Sequence, residues 1–436
     1  MITIRSNLCG SDMHPGTHLR VIAYLLFLVS IPLGEVSFFA EYAWLTVTKS
    51  TFLVLLGVLA FSLLRGWRPV FPPLGVVLAA GACTLCAILA AFFSSAPAAS
   101  VVVAGRIVSV VLLLWITVAL SDEPDFILKS LMALLFAGVL CALLGIYQTA
   151  TGETLAGLGQ YGYFGRMIEL CQETEYGAAT VVRAGATFDH PNVFGTFLIG
   201  LLPTALYFAF SHRSRLWRYV YSGVLVLLLV ALVYTFSRSA WLGGGMGILV
   251  VIALNRSIGF RTAGLLIAIA LIVGVVMLPR DAKCVLLNRS GSTQSYDVGR
   301  LYSWHTAAKM IASHPVLGVG LGRFHASYSD YAGEGEVYRQ NPLHHMDAHN
   351  TFLDVGAEGG LLSLAAFTTF LFLVLRLLLR LLSSDRGSVA LPLFAGCLAI
   401  LVQSMLQSLQ YEEIWWVLMG LGLCSVHGVP KTKWQT

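Results

Sequence analysis

Charge is scarce in this chain: Asp, Glu, Lys and Arg fill 11% of its 436 positions, against about 25% in soluble domains. That shortage excludes an ordinary soluble protein. Period-two alternation is also missing from apolar runs such as VVVAGRIVSVVLLLWITVAL (101–120), which excludes a transmembrane β-barrel. The first 20 residues are polar, and no small-residue cleavage site follows a short apolar core. The first apolar segment therefore reads as retained rather than as a cleaved signal. There is no repeat at a fixed period and no low-complexity tail. No nucleic-acid partner is expected.

What fills the sequence instead is hydrocarbon: 57% of residues are hydrophobic and the mean hydropathy is +0.79. Apolar runs near 20 residues recur from end to end, each long enough to cross a hydrocarbon layer roughly 30 Å thick. We read twelve spans, at 21–40, 48–65, 71–94, 99–121, 126–149, 191–211, 217–236, 239–255, 262–279, 352–381, 388–408 and 412–428. The expected fold is an all-α polytopic membrane protein, a single membrane domain over 1–436. Arg65 and Arg68, the HRSRLWR stretch (212–218), NRSIGFR (255–261), and Arg376, Arg380 and Arg386 all fall on one side when the spans alternate. The positive-inside rule makes that side cytoplasmic, with both termini inside.

The opposite side receives two long connections, roughly 150–190 and 280–350. Loops of that length are uncommon unless they work. Six of the eleven histidines lie in the second, namely His305, His314, His325, His344, His345 and His349, and His190 closes the first. Chemistry is therefore expected outside the cytoplasm. Cys171 and Cys284 fall one in each loop; a disulfide between them and two unrelated thiols are both open readings. Cys83 and Cys86 form a CxxC within a span with no second pair, which reads as packing.

Three constellations stand out. In TFSRSAWLGGG (235–245), Arg238 sits at a very short external turn, either snorkelling at a helix end or held there for a ligand. The stretch 296–324 reads as an amphipathic helix with Leu301, Trp304, Ala308 and Ile311 on one face. Asp297 would cap its start, Arg300 would sit in its first turn, and Pro315 would end it. Lipid headgroup contact is the plain alternative for Arg300. In HHMDAHN (344–350), His345 and His349 have the i, i+4 spacing of a metal clamp, with Asp347 near. The HExxH glutamate is missing, however, because position 346 is Met. No metal and no other cofactor is expected. Arginine forks bind phosphate oxygens bidentately, and a neutral histidine accepts a proton from a hydroxyl. Arg238, Arg300 and His349 together suit a lipid-linked pyrophosphate and an incoming hydroxyl.

Four pieces then fall into a familiar order: RAGATFDHPNVFG (183–195), FSRSAWLGG (236–244), GRLYSWHTAAKMIASHPVLGVGLGRF (299–324) and HNTFLDVGAEGGLLSL (349–364). They resemble the O-antigen ligase and polymerase family of bacterial membrane glycosyltransferases, over about 180 to 365. The resemblance implies an undecaprenyl-diphosphate-linked glycan as donor. It also implies metal-independent, inverting transfer in the periplasm of a bacterial inner-membrane protein. Carried over residue by residue, Arg238 (in an R-x3-L pattern with Leu242) and Arg300 engage the pyrophosphate, and His349 acts on the acceptor. Gly360 matches an expected glycine, whereas Ser363 stands where a glycine is common. Arg183, His190, His345 and the intramembrane Arg106 are further candidates for substrate contact; Arg106 is read as lining the donor groove or pairing with an acid.

Three acceptors fit this chemistry: the lipid A-core oligosaccharide of a ligase, a lipid-linked repeat unit of a polymerase, or a protein hydroxyl. The ligase is the favoured reading. A secondary transporter is the competing class, but transporters gather polar sites near the bilayer midplane, and here the charged candidates gather at one surface.

Overall fold

The computed structural model describes residues 15–34, 36, 45–123, 125–152, 169–174, 177–255, 258–278, 293–332, 347–382 and 389–427. The chain folds as a bundle of apolar helices. They are α1 (Pro15–Ser30), α2 (Val47–Leu64), α3 (Leu74–Phe92), α4 (Pro97–Ala119), α5 (Phe126–Thr151), α6 (Pro191–Ser211), α7 (Arg215–Tyr234), α8 (Arg238–Leu254) and α9 (Phe260–Met277). Two helices outside the expected spans follow, α10 (Thr293–Ser313) and α11 (Phe324–Tyr331), and then α12 (Thr351–Leu382), α13 (Ala390–Ser404) and α14 (Glu413–Cys424). Seven of these are long and apolar enough to cross a membrane, and five shorter apolar helices fall on the remaining expected spans. The protein is a multi-pass helical membrane protein.

The structure adds one departure from an all-helical fold. Glu169–Thr174 and Gly177–Val182 form an antiparallel hairpin in the 150–190 connection. The first span is also displaced: helix runs from Pro15 to Ser30 and tightens into a 3-10 turn at Ile31–Leu33, around Pro32. Arg20, one residue before the first expected span, is buried in α1. It pairs with Glu123 at 2.7 Å and lies over the Trp67 ring. The pairing offsets part of the cost that a lone buried cation would carry.

Burial places α6 at the centre, with nearly every side chain enclosed. Helix–helix attraction in lipid depends on close contact more than on water exclusion. The packing of α8 on α13 shows this: a Cβ at Gly243 would lie 2.5 Å from the Ala399 carbonyl oxygen. Small residues let the two backbones touch.

Helix α12 breaks at Gly360, whose φ of 72° and ψ of −178° leave the helical region. A break in an apolar segment frees backbone groups that lipid cannot satisfy. Here the turn after α10 supplies the partners. Leu361 N–H donates to the Pro315 carbonyl at 2.8 Å, and Val319 N–H and Gly320 N–H donate to the carbonyls of Ala357 and Glu358 at 2.9 and 3.0 Å. The Glu358 carboxylate accepts from Gly322 N–H at 2.9 Å and Phe324 N–H at 3.1 Å. On its far side the turn is held by Ser100, whose hydroxyl donates to the Leu321 carbonyl. The segment joining α10 and α11 is thus bolted to the first half of α12.

This docking corrects the expected face of α10. Leu301 is 60% exposed, and the enclosed stripe is Ser303, Thr306, Ala307 and Met310. The inward face of the helix leans on protein at close range, so mainly small side chains fill it. It also starts at Thr293. Asp297 therefore lies inside it rather than capping it, and Arg300 lies beyond the first turn.

Candidate active site

His349 is the residue before the asparagine that opens α12. Asn350 caps that helix, its side-chain oxygen accepting from Phe352 N–H at 3.0 Å and Leu353 N–H at 3.1 Å. Its amide nitrogen donates to the Met405 carbonyl at 3.0 Å. Next to it, the Thr351 hydroxyl donates to the Gln407 carbonyl and accepts from Leu409 N–H, both at 2.9 Å. The turn before Asn350 is held by two carboxylates. Asp354, buried in the first turn of α12, accepts from Ala348 N–H at 2.7 Å. Asp347 accepts from His349 N–H, also at 2.7 Å.

These clamps hold His349 at φ 48°, the left-handed region. For a residue with a side chain that conformation costs on the order of 1–3 kcal/mol, and it persists only where the surroundings over-determine it. The His349 Nδ1 atom lies 3.1 Å from an Asp347 carboxylate oxygen, off the direction of a hydrogen bond.

Arg238 is the first residue of α8, entered through a three-residue turn at 235–237. Phe236 in that turn has φ 50°, and the Arg238 side chain is exposed. Arg300 is half-buried on α10. It is seven residues before Ala307, hence on the same helical face about two turns away. That face belongs to a small core of Ala307, Met310, Phe324, Tyr328, Ala348 and Ala357, which thus includes the residue next to His349.

The segment 403–410 ties these parts together. Gln403 lies against Gly243 of α8, five residues on from Arg238, and its amide donates to the Asn192 carbonyl at 3.1 Å. Met405 and Gln407 hold Asn350 and Thr351, as above. Arg238, Arg300 and His349 therefore stand at one end of the bundle.

Arg183 and His190 share that end, and both bond to the scaffold there. Arg183 is buried; its Nε donates to the Thr235 carbonyl at 2.8 Å and its Nη2 to the Asn192 side chain at 3.0 Å. Asn192 in turn donates to Gln407. The His190 Nδ1 atom caps α6 by accepting from Asn192 N–H at 3.0 Å. Arg183→Ala is expected to lower stability by about 1–3 kcal/mol by stranding two buried acceptors. The measurement is the Tm of the purified protein, and Arg183→Lys, which cannot fork, is expected to restore little of it. Arg106 stands apart, on a separate cleft of about 310 Å³ with Lys49, Asp189, Glu412 and Glu413. His345, His344 and Cys284 lie outside the described residues, so the i, i+4 clamp and the disulfide with Cys171 are not described.

Residues 223–368 match the family model described as O-antigen ligase. That match is a similarity to the O-antigen ligase family. It covers roughly a third of the chain and contains Arg238, Arg300 and His349, while Arg106, Arg183 and His190 fall outside it. Similar proteins include one named "Putative polysaccharide ligase RC0486" from Rickettsia conorii, 29% identical over 209 residues. Others carry the same "Putative polysaccharide ligase" name in Rickettsia felis, 28% over 206 residues, and Rickettsia prowazekii, 27% over 205 residues. Each alignment takes in 45% of this chain and 47–48% of the relative. The chain thus spans about half the length of the curated relatives it matches.

Reading the sequence alone missed the clamps. Asp347 was visible only as a possible metal ligand, and Asp354 and Glu358 look like ordinary polar positions in an apolar run. One signal was available: Asn350 directly before a helix is a common cap, and it fixes where His349 must stop.

Proposed function

We propose that the protein transfers a glycan from an undecaprenyl-diphosphate-linked donor to an acceptor hydroxyl, with the lipid A-core oligosaccharide as acceptor, at the periplasmic face of the inner membrane. The observation that carries this reading is the strained, doubly clamped His349 at the end of the bundle that also holds Arg238 and the arginine-bearing face of α10. Strain retained at a polar surface residue is a mark of function rather than of packing. The sidedness rests on the opposite end, where Arg65, Arg68, His212–Arg218, Arg376 and Arg380 collect; basic connections stay in the cytoplasm.

In this reaction the acceptor oxygen attacks the anomeric carbon as the bond from that carbon to the diphosphate oxygen breaks. His349 takes the hydroxyl proton, with the Asp347 carboxylate 3.1 Å from its Nδ1 atom. Arg238 and Arg300 hold the pyrophosphate and balance the charge that grows on the leaving undecaprenyl diphosphate. Single displacement inverts the anomeric centre. Two guanidinium groups supply charge that a divalent ion supplies elsewhere, so transfer is expected to survive EDTA.

The test uses purified protein and a lipid-linked donor. Arg238→Ala and Arg300→Ala are each expected to raise the donor KM by about 10–100-fold, the worth of one charged hydrogen-bond pair. Unchanged donor KM and rate in both variants would remove the pyrophosphate reading. Gene deletion tests the acceptor: loss of long-chain lipopolysaccharide fits the proposal, whereas loss of a free polymer or of a glycoprotein would reassign it.

A further inference from the structure

The cleft that holds Arg106 opens among the outer ends of α1, α2, α4, α6 and α14. At about 310 Å³ it falls at the lower bound of small-ligand pockets, which run from about 300 to 1,000 Å³. Its lining carries the charged Lys49, Arg106, Asp189, Glu412 and Glu413 together with apolar residues such as Phe27, Val110, Phe197 and Ile414. Neither His349 nor Arg238 nor Arg300 forms part of its wall.

Arg106 lies inside α4, nine residues past Pro97, or roughly two and a half turns into an apolar segment. A guanidinium at that depth is costly unless it faces a polar cavity. The cleft is such a cavity. Two cations against three carboxylates leave it with one net negative charge under ordinary ionisation. A pyrophosphate is repelled by that balance, so the donor head group does not suit it. A saccharide does: its hydroxyls donate to carboxylates and accept from Lys and Arg, while the C–H faces of its rings rest on the apolar part of the lining.

The position also fits. Asp189 directly precedes His190, the cap of α6. Glu412 and Glu413 follow the segment 405–410, which holds Asn350 and Thr351 beside His349. Enclosure pushes the Tyr411 hydroxyl up from its ordinary pKa, and the carboxylates of Glu358 and Asp354 push the same way. Both carboxylates belong to the first half of α12, so the lining of the cleft and the His349 turn are electrostatic neighbours.

We infer that this cleft binds the acceptor saccharide, its hydroxyls held by Asp189, Glu412, Glu413, Lys49 and Arg106; this rests on the glycan transfer proposed above. The test is saturation-transfer NMR on the full-length protein in nanodiscs, with delipidated lipopolysaccharide core oligosaccharide as the probe. The wild type is expected to give saccharide signals. Glu413→Gln and Arg106→Gln are each expected to weaken binding at least tenfold and to raise the acceptor KM by a similar factor, with no rise in donor KM. Should either variant fail to fold, Lys49→Gln at an exposed position makes the same comparison. Binding that is insensitive to these changes, or that undecaprenyl diphosphate displaces, would overturn the assignment. Variant-sensitive binding in a protein that transfers nothing would sink the transferase reading and leave the cleft assigned. Robust transfer with variant-insensitive binding would do the reverse.

Discussion

His349→Ala is expected to lower glycan transfer by about 10²–10⁴-fold, the usual contribution of a positioned general base, with donor KM close to wild type. That range corresponds to roughly 2.7–5.5 kcal/mol of barrier. The protein is expected to stay folded, because the imidazole is not what holds the turn. The turn is held by backbone N–H groups of Ala348 and His349 on Asp354 and Asp347, and Ala preserves both. His349→Gly sharpens the test. Glycine adopts φ 48° without strain, so this variant is expected to gain on the order of 1 kcal/mol in stability while losing transfer to the same extent. A residue kept for structure would not show gain and loss together. Asp347→Asn is expected to cost roughly 10–10²-fold. This is less than the ~10⁴-fold lost when a catalytic triad loses its aspartate charge, because the contact here misses hydrogen-bond geometry. Transfer unaffected by His349→Ala would remove the histidine from the mechanism.

The second large effect concerns the break in α12. A Cβ at Gly360 would lie 2.2 Å from the Val316 carbonyl oxygen and 2.4 Å from its carbon. Both are backbone atoms that no rotamer change can move aside. Gly360→Ala is therefore expected to cost about 1–3 kcal/mol from backbone strain alone, with the clash added to it. The damage should be local. Val319, Gly320 and Leu361 lose registry with their partners, and α10 loosens from the first half of α12. Limited proteolysis should show faster cleavage around 293–332, together with a lowered Tm. Ser363 lies one turn beyond the break and does not share this constraint, so Ser363→Ala is a fair control. A Gly360→Ala protein with wild-type Tm and wild-type protease resistance would contradict the geometry of the junction.

These two positions also show what a sequence can and cannot disclose. The membrane helices were legible because a run of about 20 apolar residues has few other uses. The turn at 235–237 was legible because α7 and α8 leave almost no residues between them. The glycines of VLGVGLGRF (316–324) and of GAEGG (356–360) were visible as well, but not that each is the other's partner. Hydrogen bonds between segments some forty residues apart follow from docking, not from local pattern. The same limit explains the face of α10. Helical periodicity counts large apolar residues, and it selected Leu301 and Ala308; close packing against α12 selected Ser303, Thr306 and Ala307 instead. The two buried acceptors of Arg183 were likewise invisible in the sequence, because they lie on Thr235 and Asn192 of other segments. Arg20 was unremarked because its partner, Glu123, is a hundred residues away.

An experimental structure of the protein in nanodiscs with undecaprenyl diphosphate bound tests the central claim most directly. The account predicts the diphosphate oxygens within hydrogen-bond reach of both Arg238 and Arg300, and the His349 imidazole facing the same space. Diphosphate held in the Arg106 cleft, or reached by neither Arg238 nor Arg300, would contradict it.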